Sequence, residues 1–319
     1  MSDILATAGW AGSSATPLAG DASSRRYTRL SRGGETAILM EDPEGDVALF
    51  ARLARHLIGI GLSAPRILAE DAGNGHLLIE DLGDGLIVRL STDAESEKRL
   101  YLTATDALIA LHRHAAPEGL PIATPERLAN MVDLAFDFYA PGTPGKSETI
   151  ASFQALLDLH AQPTDVMILR DFHAENILDL PERSGAARAG LLDFQDALQG
   201  HRAYDLVSLI EDARRDVSPE TARACISHYL GATGLDPAQF HASLAVLGAQ
   251  RNLRIMGIFA RLAATRGKPH YIDLIPRTWA HLQADLEHAA LAPLRPLLAR
   301  LPAPDETHLT KLRAQCPTP

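Results

Sequence analysis

The stretch Ile168-Leu169-Arg170-Asp171-Phe172-His173-Ala174-Glu175-Asn176-Ile177-Leu178 sets polar residues between two apolar runs. Within it an Asp and an Asn lie five positions apart, at residues 171 and 176. Both residue types favour turns, so this stretch alone also suits the loop of an ordinary hairpin. A second cluster, Leu191-Leu192-Asp193-Phe194-Gln195-Asp196-Ala197, begins fifteen residues after Asn176 and again places a carboxylate after an apolar run. The two clusters together indicate more than a turn.

Their combination is typical of a phosphoryl-transfer site. In the protein-kinase signature, the Asp of D-x-x-x-x-N accepts the hydroxyl proton, the Asn holds magnesium, and the Asp of D-F-G holds magnesium on the phosphates. Asp171, Asn176 and Asp193 fit these three positions. The sequence therefore predicts Asp171 as the catalytic base, and Asn176 and Asp193 as ligands of Mg²⁺.

The spacing of these residues has a physical reason. Mg²⁺ on ATP phosphates prefers hard oxygen ligands, usually one or two carboxylates with an amide oxygen and water. A further carboxylate must stay off the metal so that it can receive a proton. A short strand, a tight loop and a returning strand would deliver all three side chains to one point. We therefore expect ATP and Mg²⁺ as cofactors.

Composition narrows the class of protein. The chain has 319 residues, 46% of them hydrophobic and 22% charged, so two moderate cores are a natural expectation. Its formal net charge of −10 argues against a nucleic-acid or anionic-membrane binder, which needs a basic face. Its two cysteines cannot form a disulfide framework. Neither an export signal nor a run of about 18 apolar residues is present. We expect a cytoplasmic protein with no nucleic-acid, membrane or obligate protein partner.

The first ninety residues have the pattern of a small α/β lobe. A turn of small residues, Gly20 to Ser24, precedes an alternating strand, and small residues let backbone amides approach phosphate oxygens closely. We therefore predict phosphate contacts at Ser23 and Ser24. A glycine pair at 33–34 predicts a hairpin turn into a second strand. A helix over residues 46–60 and two further strands, over 66–69 and 76–80, complete the lobe.

The rest of the chain is mainly helical. The stretch Glu80-Asp81-Leu82-Gly83-Asp84-Gly85 is the candidate linker into it. The apolar periodicity then predicts helices over 93–113, 125–139, 148–160, 203–212, 219–230, 237–265 and 271–291. A proline-rich tail from Pro302 onward is expected to be loosely held. The predicted fold class is α+β, with an N-terminal nucleotide-binding lobe over 1–82 and a catalytic and substrate-binding lobe over 83–319.

Several stretches together resemble one known superfamily. The chain is similar to the aminoglycoside phosphotransferases and choline kinases, and within them to the bacterial anomeric kinases of N-acetylmuramate and N-acetylglucosamine used in cell-wall recycling. The resemblance covers nearly the whole chain, including residues 250–262. The motifs that carry it are G-D-A-S-S-R-R-Y from Gly20, L-L-I-E-D-L-G from Leu77, L-R-D-F-H-A-E-N-I-L from Leu169, L-L-D-F-Q-D-A from Leu191 and A-Y-D-L-V-S-L from Ala203.

The resemblance implies a bilobal protein-kinase-like fold that uses ATP and magnesium. It implies that Glu80 and Leu82 contact adenine through their backbone groups. It also implies that a buried Asp, here Asp205, braces the catalytic loop as a structural residue. His173 follows the base by two positions, and either a substrate contact or support of the loop suits it.

Two departures from the superfamily pattern concern the site. The usual His before the catalytic Asp is Leu169 here, which predicts that packing replaces one loop-bracing hydrogen bond. The strand lysine that grips the phosphates falls at or near Met40, and no lysine precedes Lys98. Either arginine substitutes for this lysine or magnesium carries more of the charge. Arginine suits phosphate oxygens geometrically, and Arg26 is selected among Arg25, Arg26 and Arg29. Strand alternation places Arg26 on the face opposite the other two.

The implied reaction is direct in-line transfer from ATP to the anomeric hydroxyl of an amino sugar, giving a sugar 1-phosphate. A polar sugar needs several hydrogen-bonding groups, for which the candidates are Gln195, Arg251 and Arg254. Two other functions stay open at this point. One is a kinase for another small alcohol, such as an aminoglycoside, choline or homoserine. The other is a catalytically silent nucleotide-binding regulator, which the missing lysine makes conceivable.

Overall fold

The computed structural model describes residues 3–18 and 25–317. By packing, the chain forms two compact units. The first comprises Met1–His114 with Ala174–Ala197, and the second comprises Ala115–His173 with Leu198–Pro319. The division of roles at residues 82 and 83 stays a prediction.

The described residues contain both strands and helices, as the α+β prediction requires. In chain order the strands are β1 (Ser14–Pro17), β2 (Arg26–Arg32), β3 (Glu35–Glu41), β4 (Ile67–Asp71), β5 (His76–Glu80), β6 (Val166–Ile168), β7 (Ile177–Asp179), β8 (Ala189–Leu191) and β9 (Leu198–Gly200). The helices are α1 (Asp3–Thr7), α2 (Val47–Gly59), α3 (Ile87–Leu90), α4 (Ala94–Leu111), α5 (Pro125–Asn130), α6 (Lys146–His160), α7 (Ala203–Ile210), α8 (Pro219–Thr233), α9 (Pro237–Arg266), α10 (Ile275–Leu286), α11 (Arg295–Leu298) and α12 (Glu306–Arg313).

The first unit is built on a five-stranded antiparallel sheet in the order β1-β2-β3-β5-β4. The predicted succession of strand, strand, helix, strand and strand is confirmed for β2 to β5. Strand β1 was not predicted, because its sequence SATP is only four residues long and has no large apolar side chain. It lies at the sheet edge, where Pro17 costs no ladder hydrogen bond.

Helix α2 confirms the helix predicted over residues 46–60. Asp46 caps it by accepting a hydrogen bond from the Leu49 backbone N–H. Its apolar stripe includes Phe50, Leu53 and Leu57, all buried. Burial of three large side chains on one stripe holds the helix in the unit, because each buried side chain of this size contributes about 1.5–3 kcal/mol.

The second unit is organised around the 30-residue helix α9, whose predicted bounds are confirmed closely. Most of its residues are buried, and α7, α10 and α6 pack along it. Gly257 permits one close approach, because a Cβ there would overlap the backbone of Leu134 and Ala135. No helix within residues 3–18 and 25–317 has the length and apolarity needed to cross a bilayer.

Three predictions about the helical part need correction. The helix predicted over 125–139 is two elements, α5 and a π-helical turn at Ala135–Tyr139. The helix predicted over 271–291 is divided among a 3₁₀ turn at Pro269–Leu274, α10 and a second 3₁₀ turn at Ala289–Leu291. Pro276 lies in the first turn of α10 and cannot continue a preceding helix.

The third correction concerns the C-terminal tail, which was expected to be loosely held. Instead, the segment from Pro302 through helix α12 packs against the rest of the second unit. Leu309 and Leu312 of α12 are buried. The Tyr139 hydroxyl donates a 2.6 Å hydrogen bond to the carbonyl of Pro302. The prolines limit regular structure in this segment, but they do not prevent its apolar residues from packing.

Candidate active site

Asp171 follows strand β6 in the second unit and lies in a loop with unusual backbone geometry. The residue before it, Arg170, has φ of +72°, a conformation that costs a non-glycine residue energy. β6 pairs with β9, whereas the strand after the loop, β7, pairs with β8. The loop therefore joins two different strand pairs and is not the turn of one hairpin. Such local strain persists only where the surroundings hold it in place.

The Asp205 carboxylate holds this loop through two hydrogen bonds. One carboxylate oxygen accepts the backbone N–H of Leu169 at 2.6 Å, and the other accepts that of Arg170 at 2.9 Å. Asp205 is fully buried, and this burial raises its pKa to about 7. The two N–H donors act in the opposite direction, because they favour the carboxylate. The predicted bracing role of Asp205 is confirmed by these contacts.

The other side of the loop is held by Ser208 and Arg251. Ser208 Oγ donates to the carbonyl of Arg170 at 3.2 Å, and Arg251 Nη2 donates to Ser208 Oγ at 2.7 Å. Arg251 is buried and also contacts the carbonyl of Glu211. This placement favours a structural role for Arg251 over the predicted acceptor contact. Sequence reasoning missed Ser208, although its position three residues after Asp205 on α7 puts both on one helix face.

Leu169 and His173 also support the loop. Leu169, which replaces the usual His, is buried by packing. His173 is buried as well, and burial lowers its pKa to about 3, so its ring is neutral. Its Nε2 lies 3.1 Å from Arg214 Nη1. Because arginine only donates, Nε2 must accept, which places the proton on Nδ1. Of its two roles, loop support is favoured.

Arg254 lies one helical turn beyond Arg251 on α9. Its Nη1 donates to the hydroxyl of Tyr204 at 3.3 Å. The side chain is partly buried, and burial lowers its pKa, with the charge of Arg170 acting in the same direction. Among the described residues Arg254 forms no ion pair. The charge of Asp171 acts in the opposite direction on this pKa, but Asp171 forms no ion pair with Arg254. A partly buried guanidinium without an ion pair is a candidate for binding an anionic group of a ligand.

The first unit brings Asn176 and Asp193 together through the β7–β8 hairpin. Ile177 pairs with Leu191 in this hairpin, and the Leu192 N–H donates to the Asn176 carbonyl at 3.0 Å. Asn176 directly precedes β7 and Asp193 lies two residues after β8, so the two predicted metal ligands lie at the same end of this strand pair. Asp193 has φ of +56°, so like Arg170 it is a non-glycine residue with a positive φ.

Phe194 fixes the direction of the chain after Asp193. It is fully buried, and its ring lies 4.7 Å from that of Phe50 on α2, centroid to centroid. Gln195 Nε2 donates to Asp193 Oδ1 at 2.9 Å. Gln195 therefore orients the Asp193 carboxylate, a different role from the predicted acceptor contact.

The donor set at this hairpin end fits magnesium. An amide oxygen from Asn176 and a carboxylate from Asp193 are hard ligands, and Mg²⁺ is usually held by one or two protein carboxylates together with substrate phosphates and water. In the part of the chain that the structure describes, no group of three His, Cys, Asp or Glu side chains forms a dedicated metal cage. A site completed by nucleotide phosphates matches this arrangement.

The three candidate phosphate-binding arginines have different surroundings. Arg26 has 73% of its side chain exposed and only a 4.0 Å contact with Glu41. Arg29 Nε lies 2.7 Å from Asp81 in the predicted linker, and its Nη1 lies 2.9 Å from Asp84. Arg25 has 13% of its side chain exposed, and its Nη1 lies 3.0 Å from Asp193. The structure therefore favours Arg25 over the predicted Arg26.

The linker residues Glu80 and Leu82 belong to the first unit. The Glu80 carboxylate is held by Arg183 at 2.7 Å and Arg66 at 3.2 Å, and its N–H donates to the Arg66 carbonyl. The backbone of Leu82 has no hydrogen-bond partner among the described residues, so both of its polar groups suit an adenine edge. The predicted phosphate contacts Ser23 and Ser24 lie outside the described residues.

Comparison with known proteins identifies relatives across most of the chain. The family described as "Phosphotransferase enzyme family" matches residues 14–241. An N-acetylmuramate/N-acetylglucosamine kinase of Caulobacter vibrioides is 38% identical, over 87% of this chain and 89% of its own length. A protein of the same name from Pseudomonas aeruginosa is 33% identical, over 90% of this chain and 88% of its own.

Solved structures show the same fold at lower sequence identity. A choline/ethanolamine kinase family protein from Mesorhizobium loti superposes with a TM-score of 0.64 at 17% identity, covering 98% of this chain and 96% of its own. The choline kinase LicA from Streptococcus pneumoniae gives a TM-score of 0.63 at 14% identity, covering 88% of this chain and 96% of its own. The predicted kinase-like fold class is confirmed by these likenesses.

Proposed function

Because the chain belongs to the phosphotransferase enzyme family, we propose that it is an ATP-dependent kinase of amino sugars, acting on N-acetylmuramate, N-acetylglucosamine or both. The observation that carries the substrate class is the 38% identity with a kinase named for these two sugars over most of both chains. We assign the anomeric hydroxyl as the acceptor group, so the product is a sugar 1-phosphate.

Asp171 is the catalytic base in this proposal. It accepts a hydrogen bond from the acceptor hydroxyl, orients an oxygen lone pair toward the γ-phosphorus and receives the proton, while the bond from that phosphorus to the β–γ bridging oxygen breaks and ADP leaves. The network of Asp205, Ser208 and Arg251 supports this role, because it holds the strained backbone before Asp171 in one conformation. Positioning of this kind accounts for much of catalysis in phosphoryl transfer, where the transition state is loose.

Asn176 and Asp193 would hold the magnesium ion. When bound, the ion would offset negative charge on the phosphates. Asp193 is oriented for this by Gln195 and by the burial of Phe194. Leu82 contacts the adenine through its backbone. Because cells supply ATP in the cytoplasm, we assign the enzyme to that compartment.

Among the residues predicted to bind the acceptor sugar, Arg254 is the one that the local contacts support best. N-acetylmuramate carries a carboxylate that N-acetylglucosamine lacks. We expect Arg254→Gln to raise KM for N-acetylmuramate about tenfold to a hundredfold, since a hydrogen bond to a charged group contributes roughly 1.5–3 kcal/mol. KM for N-acetylglucosamine should change far less. Steady-state kinetics with both sugars measures the difference.

The matched control is Arg261→Gln, which removes an exposed guanidinium from the same helix and should leave both KM values unchanged. Equal increases of KM for the two sugars in Arg254→Gln would contradict carboxylate recognition. They would instead indicate that Arg254 supports the loop or the sugar ring.

The function itself is tested by an ATP-consumption screen over amino sugars, aminoglycosides, choline and homoserine. We expect turnover with the two N-acetylated sugars and a phosphorus NMR signal from a phosphate on the anomeric oxygen. Turnover confined to an aminoglycoside or an amino alcohol would replace the sugar assignment. ATP binding without turnover on any acceptor would favour the silent regulator.

A further inference from the structure

The position expected for a phosphate-gripping lysine is apolar in this chain. Met40 lies on β3, is almost fully buried, and pairs with Tyr27 on β2. It lines a cavity of 360 Å³ in the first unit. No lysine occurs before Lys98, so a cation for this position has to come from an arginine.

Arg25 supplies a cation at this cavity. It immediately precedes β2, beside Asp42, which follows β3. Its Nη1 lies 3.0 Å from Asp193 Oδ1, and its Nε lies 3.4 Å from Asp42 Oδ2. Arg25 and Asp193 are 168 positions apart in sequence, so only the fold brings this cation to the predicted metal ligand.

Asp42 is positioned by the local chain to hold Arg25. Its carboxylate packs so closely over Gly45 that any Cβ at that position would overlap it. Its backbone N–H donates to the Gly75 carbonyl at 2.8 Å. A Cβ at Gly75 would lie 2.6 Å from the Asp42 carbonyl oxygen. Two glycines therefore permit the loop conformation that turns Asp42 toward Arg25.

The charge around this cavity favours a cation at the position of Arg25. Its described lining includes four carboxylates, from Asp42, Glu44, Asp46 and Asp196, and Arg25 is the sole Lys or Arg among those lining residues. Phosphate groups would be repelled by such a wall without a cation between them. A guanidinium suits the position, because its planar fork of five N–H donors can bond a carboxylate and a phosphate together.

We propose that Arg25, oriented by Asp42, replaces the strand lysine and binds the phosphate oxygens of ATP beside Asp193. This assignment rests on the proposed kinase function only in naming ATP as the nucleotide. Asp42 is a positioning residue, because it acts on the phosphates through Arg25. The surroundings of Arg26 and Arg29 favour them less, since the first is exposed and the second is bound to the linker carboxylates.

The test compares the binding of ATP and adenosine by isothermal titration calorimetry, with no acceptor present. For Arg25→Ala we expect a Kd for ATP about tenfold to a hundredfold higher, the loss typical of a hydrogen bond to a charged partner. The Kd for adenosine should stay within about twofold, because adenosine lacks phosphates. Arg25→Lys should recover part of the ATP affinity, and Asp42→Asn should weaken ATP binding less than Arg25→Ala does.

Arg55→Ala is the control, because Arg55 is an exposed arginine of α2 paired with Glu70. It should bind both ligands as the unmodified protein does. Equal Kd changes for ATP and adenosine in Arg25→Ala would overturn the proposal, since they would show that Arg25 makes no contribution specific to the phosphates. Loss of ATP affinity in Arg26→Ala with none in Arg25→Ala would overturn it in favour of Arg26. Since no acceptor is used, the outcome is independent of which sugar is the substrate.

Discussion

Asp193→Ala is expected to abolish magnesium-dependent phosphoryl transfer while leaving the protein folded. The carboxylate is the one charged ligand in the proposed metal site, and a metal ion contributes several kcal/mol of charge stabilisation in the transition state. We expect kcat to fall by at least about a thousandfold, which corresponds to roughly 4 kcal/mol. Coupled ATP-consumption kinetics over a range of Mg²⁺ concentrations measures the loss.

Two further variants distinguish the loss of the metal ligand from a change in backbone conformation. Asp193 has φ of +56°, a conformation that Ala adopts at a cost and Asn adopts readily. Asp193→Asn therefore keeps the loop and removes only the charge, and it should be nearly as inactive as Asp193→Ala. Glu182→Ala removes an exposed carboxylate from the same β7–β8 connection and should retain full activity. Normal turnover in a folded Asp193→Asn variant would reject the metal assignment.

Asp171→Asn is expected to depress kcat far more than it depresses nucleotide binding. General acid–base catalysis contributes about a hundredfold to ten-thousandfold, so we expect kcat to fall within that range. ATP affinity should change by less than about threefold, because Asp171 interacts with the acceptor and not with the phosphates. Single-turnover kinetics gives the transfer rate, and calorimetric titration gives the ATP affinity.

The size of the Asp171→Asn effect also reports how the residue acts. Asn keeps the size of the side chain and one hydrogen-bonding oxygen, but it cannot take up the proton. A loss below about tenfold would mean that positioning, and not proton removal, is the main contribution of Asp171. Equal losses in transfer rate and ATP affinity would refute its assignment as the base.

Much of the fold was predictable because it depends on local patterns. Helix α2 and helix α9 were placed within two residues at each end, because apolar spacing and capping residues mark them clearly. The sheet strands β2 to β5 follow from alternation and glycine turns. Two predicted helices, over 125–139 and 271–291, were wrong. The first changes to a π-helical turn, and the second is divided near Pro276. Apolar periodicity does not show such local breaks.

For the candidate site too, local motifs predicted some residues and not others. The D-x-x-x-x-N spacing predicts Asp171 and Asn176 as site residues, and the second cluster predicts Asp193, because these motifs consist of neighbouring residues. Asp42 was missed, although strand alternation puts it on the same side as Met40, two residues earlier. Strand alternation indicates on which face of the sheet a side chain lies, but it does not indicate which residue that side chain contacts. The contact of Asp42 with Arg25 could therefore not be inferred from it.

By itself, the sequence determined the class of chemistry, the α+β organisation and the three residues expected to bind metal and move the proton. Only the tertiary structure decided which arginine lies beside Asp193 and which polar groups support the loop that contains Asp171. Alternation separates Arg26 from Arg25 and Arg29 but does not say which face of β2 meets the site. The contact between Arg25 and Asp193 spans 168 positions. Pairings this distant depend on the packing of the whole unit, and no local pattern records them.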